Sequence, residues 1–159
     1  MKFRSLVAIA AVSVFVAASL TAADKAADKK AKKDPLAGVK CMFSGKKVVA
    51  ASATDFNGGK IYFCCTNCPK NFAKNKDKLA GKANAQLVQT GQAKQKACPI
   101  SGQKLNPATK ITVAGAPVCF CCNNCKGAVS KLTGDAQIDK AFGEKAFAKA
   151  FTVGKKKKN

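Results

Sequence analysis

Two matching stretches decide the fold: Ile61-Tyr-Phe-Cys-Cys-Thr-Asn-Cys68 and Val118-Cys-Phe-Cys-Cys-Asn-Asn-Cys125. A second matching pair precedes them, Cys41-Met-Phe-Ser-Gly-Lys-Lys47 and Cys98-Pro-Ile-Ser-Gly-Gln-Lys104. The offset is constant (98 − 41 = 57 and 125 − 68 = 57), and residues 41–68 and 98–125 agree without a gap at 11 of 28 positions. Self-similarity at a constant spacing indicates a duplicated structural unit.

Each copy has the pattern of a small α+β module. A cysteine knuckle opens it, and a strand, a glycine-containing turn and a returning strand follow. On the returning strand Ile61 and Phe63 share one face in the first copy, as Val118 and Phe120 do in the second. Residues with side chains suited to a helix N-cap follow each Cys-Cys pair. The sequence therefore predicts two modules of knuckle, β-hairpin and α-helix in tandem.

The rest of each copy is less regular. Gly81 and Gly134 are expected to end the two helices, and a strand is expected over Gln86–Thr90. A helical pattern closes the chain and predicts a C-terminal helix with apolar residues in the core. These residues are Ile138, Phe142, Phe147 and Phe151.

The first residues have the pattern of a secretory signal peptide. Lys2 and Arg4 precede an apolar run over Leu6–Leu20, and small residues follow at Ala22 and Ala23. The run is about 15 residues long, short of the ~20 that span a bilayer. We expect cleavage near Ala22–Ala23 and a location in the periplasm or outside the cell.

The remaining chain divides into a low-complexity linker (24–37), module 1 (38–95), module 2 (96–153) and a basic tail (154–159). No other stretch is apolar enough to span a membrane, so we do not expect an integral membrane protein. The net charge is +21, with lysines spread along the chain. This distribution favours loose attraction to anionic envelope surfaces over specific recognition of nucleic acid. The sequence does not identify a protein partner.

The chain has nine cysteines and no histidine, so a metal site here must consist mainly of sulfur. A module of this size seldom folds without disulfides, metal or a partner. Cys64 ends a strand, Cys68 lies in the first helical turn, and the hairpin can bring Cys41 back to both. Helix N-termini stabilise thiolates, so this arrangement is typical of small folds that gather thiolates around zinc.

The cysteine pattern resembles that of YHS and TRASH domains. The stretch Tyr62-Phe-Cys-Cys-Thr-Asn-Cys-Pro-Lys-Asn-Phe72 is especially similar to YHS modules, and the resemblance covers about residues 41–80 and 98–137. It implies treble-clef-like modules associated with heavy-metal binding, sensing and trafficking. It also implies two sets of metal ligands. These are Cys41, Cys64 and Cys68 in module 1, and Cys98, Cys121 and Cys125 in module 2.

The fourth ligand of each site stays open at this stage. Many related zinc modules begin with Cys-x-x-Cys, whereas Ser44 and Ser101 occupy the second of those positions here. Cys65 and Cys122 could complete four-thiolate sites, provided that the strand breaks at the Cys-Cys pair, since adjacent strand residues face opposite ways. Zinc suits four thiolates and is the metal we expect, while copper(I) suits two or three soft ligands and remains an alternative.

Three functions compete. The first is a secreted metal-binding protein for buffering, delivery or sensing, and it is the one that we expect. The second is a disulfide-stapled binding protein without metal. The third is a thiol–disulfide oxidoreductase that uses the Cys-x-x-Cys pairs, the one enzymatic option. Acid–base catalysis is not expected, because the chain lacks histidine and no carboxylate recurs between the copies.

The ninth cysteine, Cys119, stands outside the repeated set because it aligns with Tyr62. We expect it to be a small strand residue. An extra metal ligand or an intermolecular disulfide are the alternatives.

Overall fold

The computed structural model describes residues 34–154. The predicted signal peptide, most of the predicted linker and all but the first residue of the predicted tail lie outside these residues. The described part is mixed α+β, as expected. Its elements in chain order are β1 (Val49–Phe56), β2 (Gly59–Phe63), α1 (Asn67–Lys74), α2 (Lys76–Gln89), β3 (Ala93–Gln95), β4 (Asn106–Val113), β5 (Ala116–Phe120), α3 (Asn123–Ser130), α4 (Gly134–Phe142), α5 (Glu144–Ala150) and β6 (Phe151–Val153).

The duplication is visible in the two hairpins. β1 pairs with β2, and β4 pairs with β5, both antiparallel and at positions 57 residues apart (106 − 49 = 57). Both turns have two residues with positive φ: Asn57 (48°) and Gly58 (80°) in the first, Ala114 (50°) and Gly115 (78°) in the second. This is the type I′ conformation that matches the twist of a tight hairpin.

Three expectations about the segments after the hairpins are wrong. Gly81 does not end a helix; it lies inside α2, where an added Cβ would meet the Asp139 side chain of α4. Gly134 begins α4 with a φ of 59°. Gln86–Thr90 is not a strand, since α2 continues to Gln89. Alternating and helical apolar patterns look alike over so few residues, and packing of α2 against α4 decides between them.

The two copies are joined by an unexpected strand pair. β3 of the first copy pairs antiparallel with β6 of the second, and Lys94 lies opposite Thr152, the middle residue of each strand. α2 packs against α4 beside this pair, where Lys82 and Asp135 form an ion pair of 2.8 Å. Equivalent parts of the two copies therefore face each other, and the described residues lie within one compact unit.

The core is continuous across both copies. Ile61 and Phe63 of β2 are fully buried, as are Val118 and Phe120 of β5, which confirms the predicted inward faces. Phe142, Phe147 and Phe151 are also buried, and the Phe151 ring centroid lies 5.5 Å from that of Phe142 and 5.1 Å from that of Phe147. Phe151 lies in β6 and not in the predicted C-terminal helix, which is divided into α4 and α5. Within residues 34–154, no helix is both long and apolar enough to cross a membrane.

Candidate metal centres

The two knuckles bring the first cysteine of each copy to its site in the same way. The Cys41 amide donates to the Lys46 carbonyl at 2.8 Å, and the Gly45 amide donates back to the Cys41 carbonyl at 2.9 Å. In module 2 the Cys98 amide donates to the Gln103 carbonyl at 2.9 Å. The glycine of each knuckle adopts positive φ (68° at Gly45), which L side chains rarely do. These bonds close a tight turn that holds the cysteine at its start.

The strand end and the helix start supply the next two sulfur atoms. Cys64 directly follows β2, and Cys68 is the second residue of α1. Module 2 repeats the arrangement with Cys121 after β5 and Cys125 at the third residue of α3. The three intervening residues therefore carry the chain from a strand into the first turn of a helix.

The structure brings three predicted ligands together in each module. The Sγ atoms of Cys41, Cys64 and Cys68 all lie within 4.8 Å of one another, as do those of Cys98, Cys121 and Cys125. Cys68 Sγ lies 3.8 Å from Cys41 Sγ and 3.8 Å from Cys64 Sγ. A tetrahedral ion with Zn–S bonds of about 2.3 Å separates its sulfur ligands by about 3.8 Å. Both clusters can hold a metal ion, and their geometry does not determine which one.

Cys65 and Cys122 lie at the rim, outside both three-sulfur groups. Both are exposed. Cys65 Sγ is 3.3 Å from Cys68 Sγ, and Cys122 Sγ is 3.6 Å from Cys121 Sγ. The strand does break at each pair, because β2 ends at Phe63 and β5 at Phe120. Cys65 and Cys122 could serve as fourth ligands only if the strand broke at the Cys-Cys pair, and it does so in both modules.

Ser44 and Ser101 contact the clusters. Ser44 Oγ lies 3.1 Å from Cys64 Sγ, and Ser101 Oγ lies 3.1 Å from Cys121 Sγ. A neighbouring amide donates to each serine oxygen at 3.3 Å. Hydrogen bonds to ligating atoms orient them. The recurrence of serine at the same position of both knuckles is the feature of the sequence that could have predicted this contact with a cluster cysteine.

The thiols within each cluster differ in acidity. Burial alone would raise the pKa of Cys41, but backbone hydrogen bonds from Phe43, Cys64 and Ser44 outweigh it and lower the pKa to about 6. The same balance, with the Ser101 hydroxyl as the largest lowering contribution, brings the pKa of Cys98 to about 6.

The cysteines on the helices show the opposite behaviour. The hydrogen bond with Cys65, followed by burial, raises the pKa of Cys68 far above its ordinary value. Burial, followed by the contacts with Cys121 and Cys122, raises the pKa of Cys125 to about 12. Each cluster thus pairs one thiolate with one thiol that retains its proton, and a bound cation would take the place of that proton.

Cys119 belongs to neither three-sulfur cluster. It lies in β5, half-buried, and the Gln95 amide binds its backbone on both sides, with Nε2 donating to the Cys119 carbonyl at 2.7 Å and Oε1 accepting from its N–H at 2.8 Å. Gln86 binds the backbone of Tyr62, the equivalent residue in module 1, in the same way. The role of Cys119 as a strand residue agrees with this placement.

Fold and sites together define the class: a duplicated α+β protein with two three-cysteine clusters that are compatible with metal binding. No family model, curated protein or solved structure matches the chain. The resemblance to YHS and TRASH domains therefore stays a prediction from the residues themselves, with which the two cysteine clusters are consistent.

Proposed function

We propose that this protein binds two soft metal ions, one in each module, and buffers or delivers them in the periplasm or outside the cell. The observation that carries the proposal is the convergence of three sulfur atoms at metal-ligand spacing, twice and at equivalent positions. Disulfides could use all four cysteines of a module only if one of the three grouped thiols paired with the exposed rim cysteine. A metal ion uses all three.

Zinc is the proposed ion, with Cys65 and Cys122 as the fourth ligands. Cys65 is exposed and its sulfur is already 3.3 Å from that of Cys68, so a small side-chain rotation completes a four-thiolate site. Four thiolates leave a zinc site with a charge of about −2. The lysine-rich chain, with a net charge of 21 − 2 = +19 once Lys2 and Arg4 are removed, offsets this charge. Copper(I) would need only the three inner thiols.

Export is proposed from the signal-peptide pattern at Lys2–Ala23, and a role in storage or delivery follows from exposure of the rim cysteines. A metal ion leaves a closed site by ligand exchange, and an exposed ligand is the one that an incoming thiol can displace. Cys65 and Cys122 are the exposed members of their groups. They are the positions at which a second protein or a small thiol would accept the ion.

Thiol–disulfide exchange in module 1 is the second candidate. The observation that favours it is the 3.3 Å separation of Cys65 and Cys68 at the start of α1. The hydrogen bond from Cys68 also lowers the pKa of the Cys65 thiol, which makes it a better nucleophile at neutral pH. In module 2 the hydrogen bonds with Cys125 likewise lower the pKa of the Cys122 thiol, but the Cys122 Sγ lies 3.6 Å from that of Cys121.

Native mass spectrometry of protein isolated from the periplasm, with thiol alkylation in parallel, tests the proposal. We expect two metal ions per chain, with thiols that a chelator unmasks. Cys41→Ser and Cys98→Ser should each reduce the stoichiometry to one, whereas Cys119→Ser, the control, should keep both ions. A metal-free chain whose mass is lower by two hydrogens per disulfide would refute metal binding and support a stapled fold. Catalytic turnover of a disulfide substrate by Cys119→Ser but not by Cys65→Ser would support the second candidate.

A further inference from the structure

The knuckle of module 1, residues 40–49, exposes two large apolar side chains. Phe43 is 41% exposed and Val49 45%, and they are the exposed large hydrophobic residues of the part of the chain that the structure describes. Both border Phe63: the Phe43 ring stacks on the Phe63 ring at 6.2 Å, and Val49 pairs with Phe63 across the β1–β2 ladder. The two side chains, the apolar patch of this knuckle, therefore flank Phe63, the residue before Cys64 of the first cluster.

Three lysines lie in the same knuckle as this patch. Lys40, Lys46 and Lys47 are all exposed, and Lys40 and Lys47 face each other as bridge partners. Residues 40–49 contain no carboxylate. The ion pairs within residues 34–154 join Lys60 to Asp55 and Lys82 to Asp135, so these three lysines take no part in them. The knuckle thus combines two exposed apolar groups with three positive charges.

The second copy forms the same knuckle without two exposed apolar side chains and three lysines. At the equivalent positions module 2 has Ala97, Ile100, Gln103, Lys104 and Asn106, and so a single lysine. Ile100 is less exposed than Phe43, and its carbonyl accepts a hydrogen bond from Lys149 Nζ at 3.2 Å. The knuckle hydrogen bonds and the three-cysteine cluster are nevertheless the same in both copies. The exposed patch and the lysines of module 1 are therefore additional to what the fold and the metal site require.

We propose that the knuckle of module 1 docks on an anionic phospholipid surface. Phe43 and Val49 would enter the headgroup region while the three lysines contact lipid phosphates, the combination by which peripheral proteins bind membranes. An acidic protein surface is the rival partner, but stable protein interfaces bury about 800 Å² per partner, more than two side chains provide. The charge of the chain without Lys2 and Arg4, 21 − 2 = +19, adds long-range attraction to an anionic surface. This inference does not depend on which metal the clusters hold.

A tryptophan scan tests the proposal, because the chain has no tryptophan of its own. Val49→Trp places a single fluorophore in the patch, and Asn106→Trp places one at the equivalent exposed position of module 2. The probe is vesicles of phosphatidylcholine mixed with phosphatidylglycerol, compared with phosphatidylcholine alone. We expect a blue shift and quenching by brominated lipid for Val49→Trp on the anionic vesicles, and neither for Asn106→Trp.

A charge comparison in the full chain supplies the second readout. The double variant Lys40→Ala with Lys46→Gln has the module 2 residues at these two positions. We expect its partitioning onto the anionic vesicles to fall by about 25-fold, since each lysine at a membrane surface contributes about fivefold. Lys104→Gln with Lys110→Gln removes the same charge from module 2 and should cost less than about threefold. Equal metal content in all variants confirms that each one is folded. Equal losses in the two double variants, equal shifts of the two tryptophans, or no partitioning of the parent chain would each overturn the proposal.

Discussion

Replacement of Cys65 by serine is the most informative single change, because Cys65 decides whether the first site is closed. Its sulfur lies 3.3 Å from that of Cys68, yet it stands outside the group whose sulfur atoms are mutually within 4.8 Å. If Cys65 binds the zinc ion, the site has four thiolates and no open position. If it stays at the rim, three thiolates bind the ion and the fourth position is open.

The expected magnitude follows from the number of ligands. Structural zinc sites of small domains bind with about 10–16 kcal/mol, so each of four thiolates contributes about 3 kcal/mol. Loss of one thiolate should therefore raise the zinc Kd by roughly two orders of magnitude. Cys65→Ser should show this effect on one of the two ions, and Cys122→Ser on the other. Binding of copper(I), which needs only the inner thiols, should change by less than about threefold.

Competition with a chromophoric chelator measures the affinities, and cobalt(II) spectra report the number of thiolates, since the sulfur-to-metal charge-transfer intensity increases with each one. Cys119→Ser is the matched control, because its thiol lies outside both three-cysteine groups. An unchanged zinc affinity and an unchanged cobalt spectrum in Cys65→Ser would refute the closed site and leave a three-thiolate site with an open position. Loss of both ions from the single variant would instead show that the two sites are not independent.

Two further predictions concern the hairpin turn and pH. Ala114 adopts a φ of 50°, at a cost of about 1–2 kcal/mol for a residue with a β-carbon, and Asn tolerates this conformation better. Ala114→Asn, which introduces the residue found at the equivalent Asn57, should raise the free energy of unfolding measured by chemical denaturation by about 0.5–1 kcal/mol. An unchanged or lower free energy of unfolding would show that the backbone of Ala114 is not strained. The pKa of about 6 means that Cys41 and Cys98 are thiolates above pH 6 and thiols below it. Below pH 6 each site must therefore release one more proton, that of Cys41 or Cys98, to bind metal. A plot of log Kd for zinc against pH should become steeper below pH 6, and a constant slope through that point would exclude these assignments.

The candidate sites could be located from the sequence to an unusual degree. Six of the eight predicted ligands meet in two groups, because every step between them is local: a tight knuckle, a two-residue turn and one turn of helix. The offset of 57 residues made each step visible twice. The placement of Cys65 and Cys122 at the rim was left open, because it depends on side-chain rotation at a strand end, which neither spacing nor periodicity determines.

By itself, the sequence determined the duplication, the α+β hairpin modules, the inward faces at Ile61 and Phe63, and the cysteines that meet. Tertiary structure alone decided how the copies join. The helix through Gly81 continues because its missing side chain admits Asp139 of the other copy. β3 is a strand because β6, 58 residues further on, pairs with it. Local patterns record what neighbouring residues prefer, whereas these elements exist only through contacts between distant residues, which no short stretch encodes.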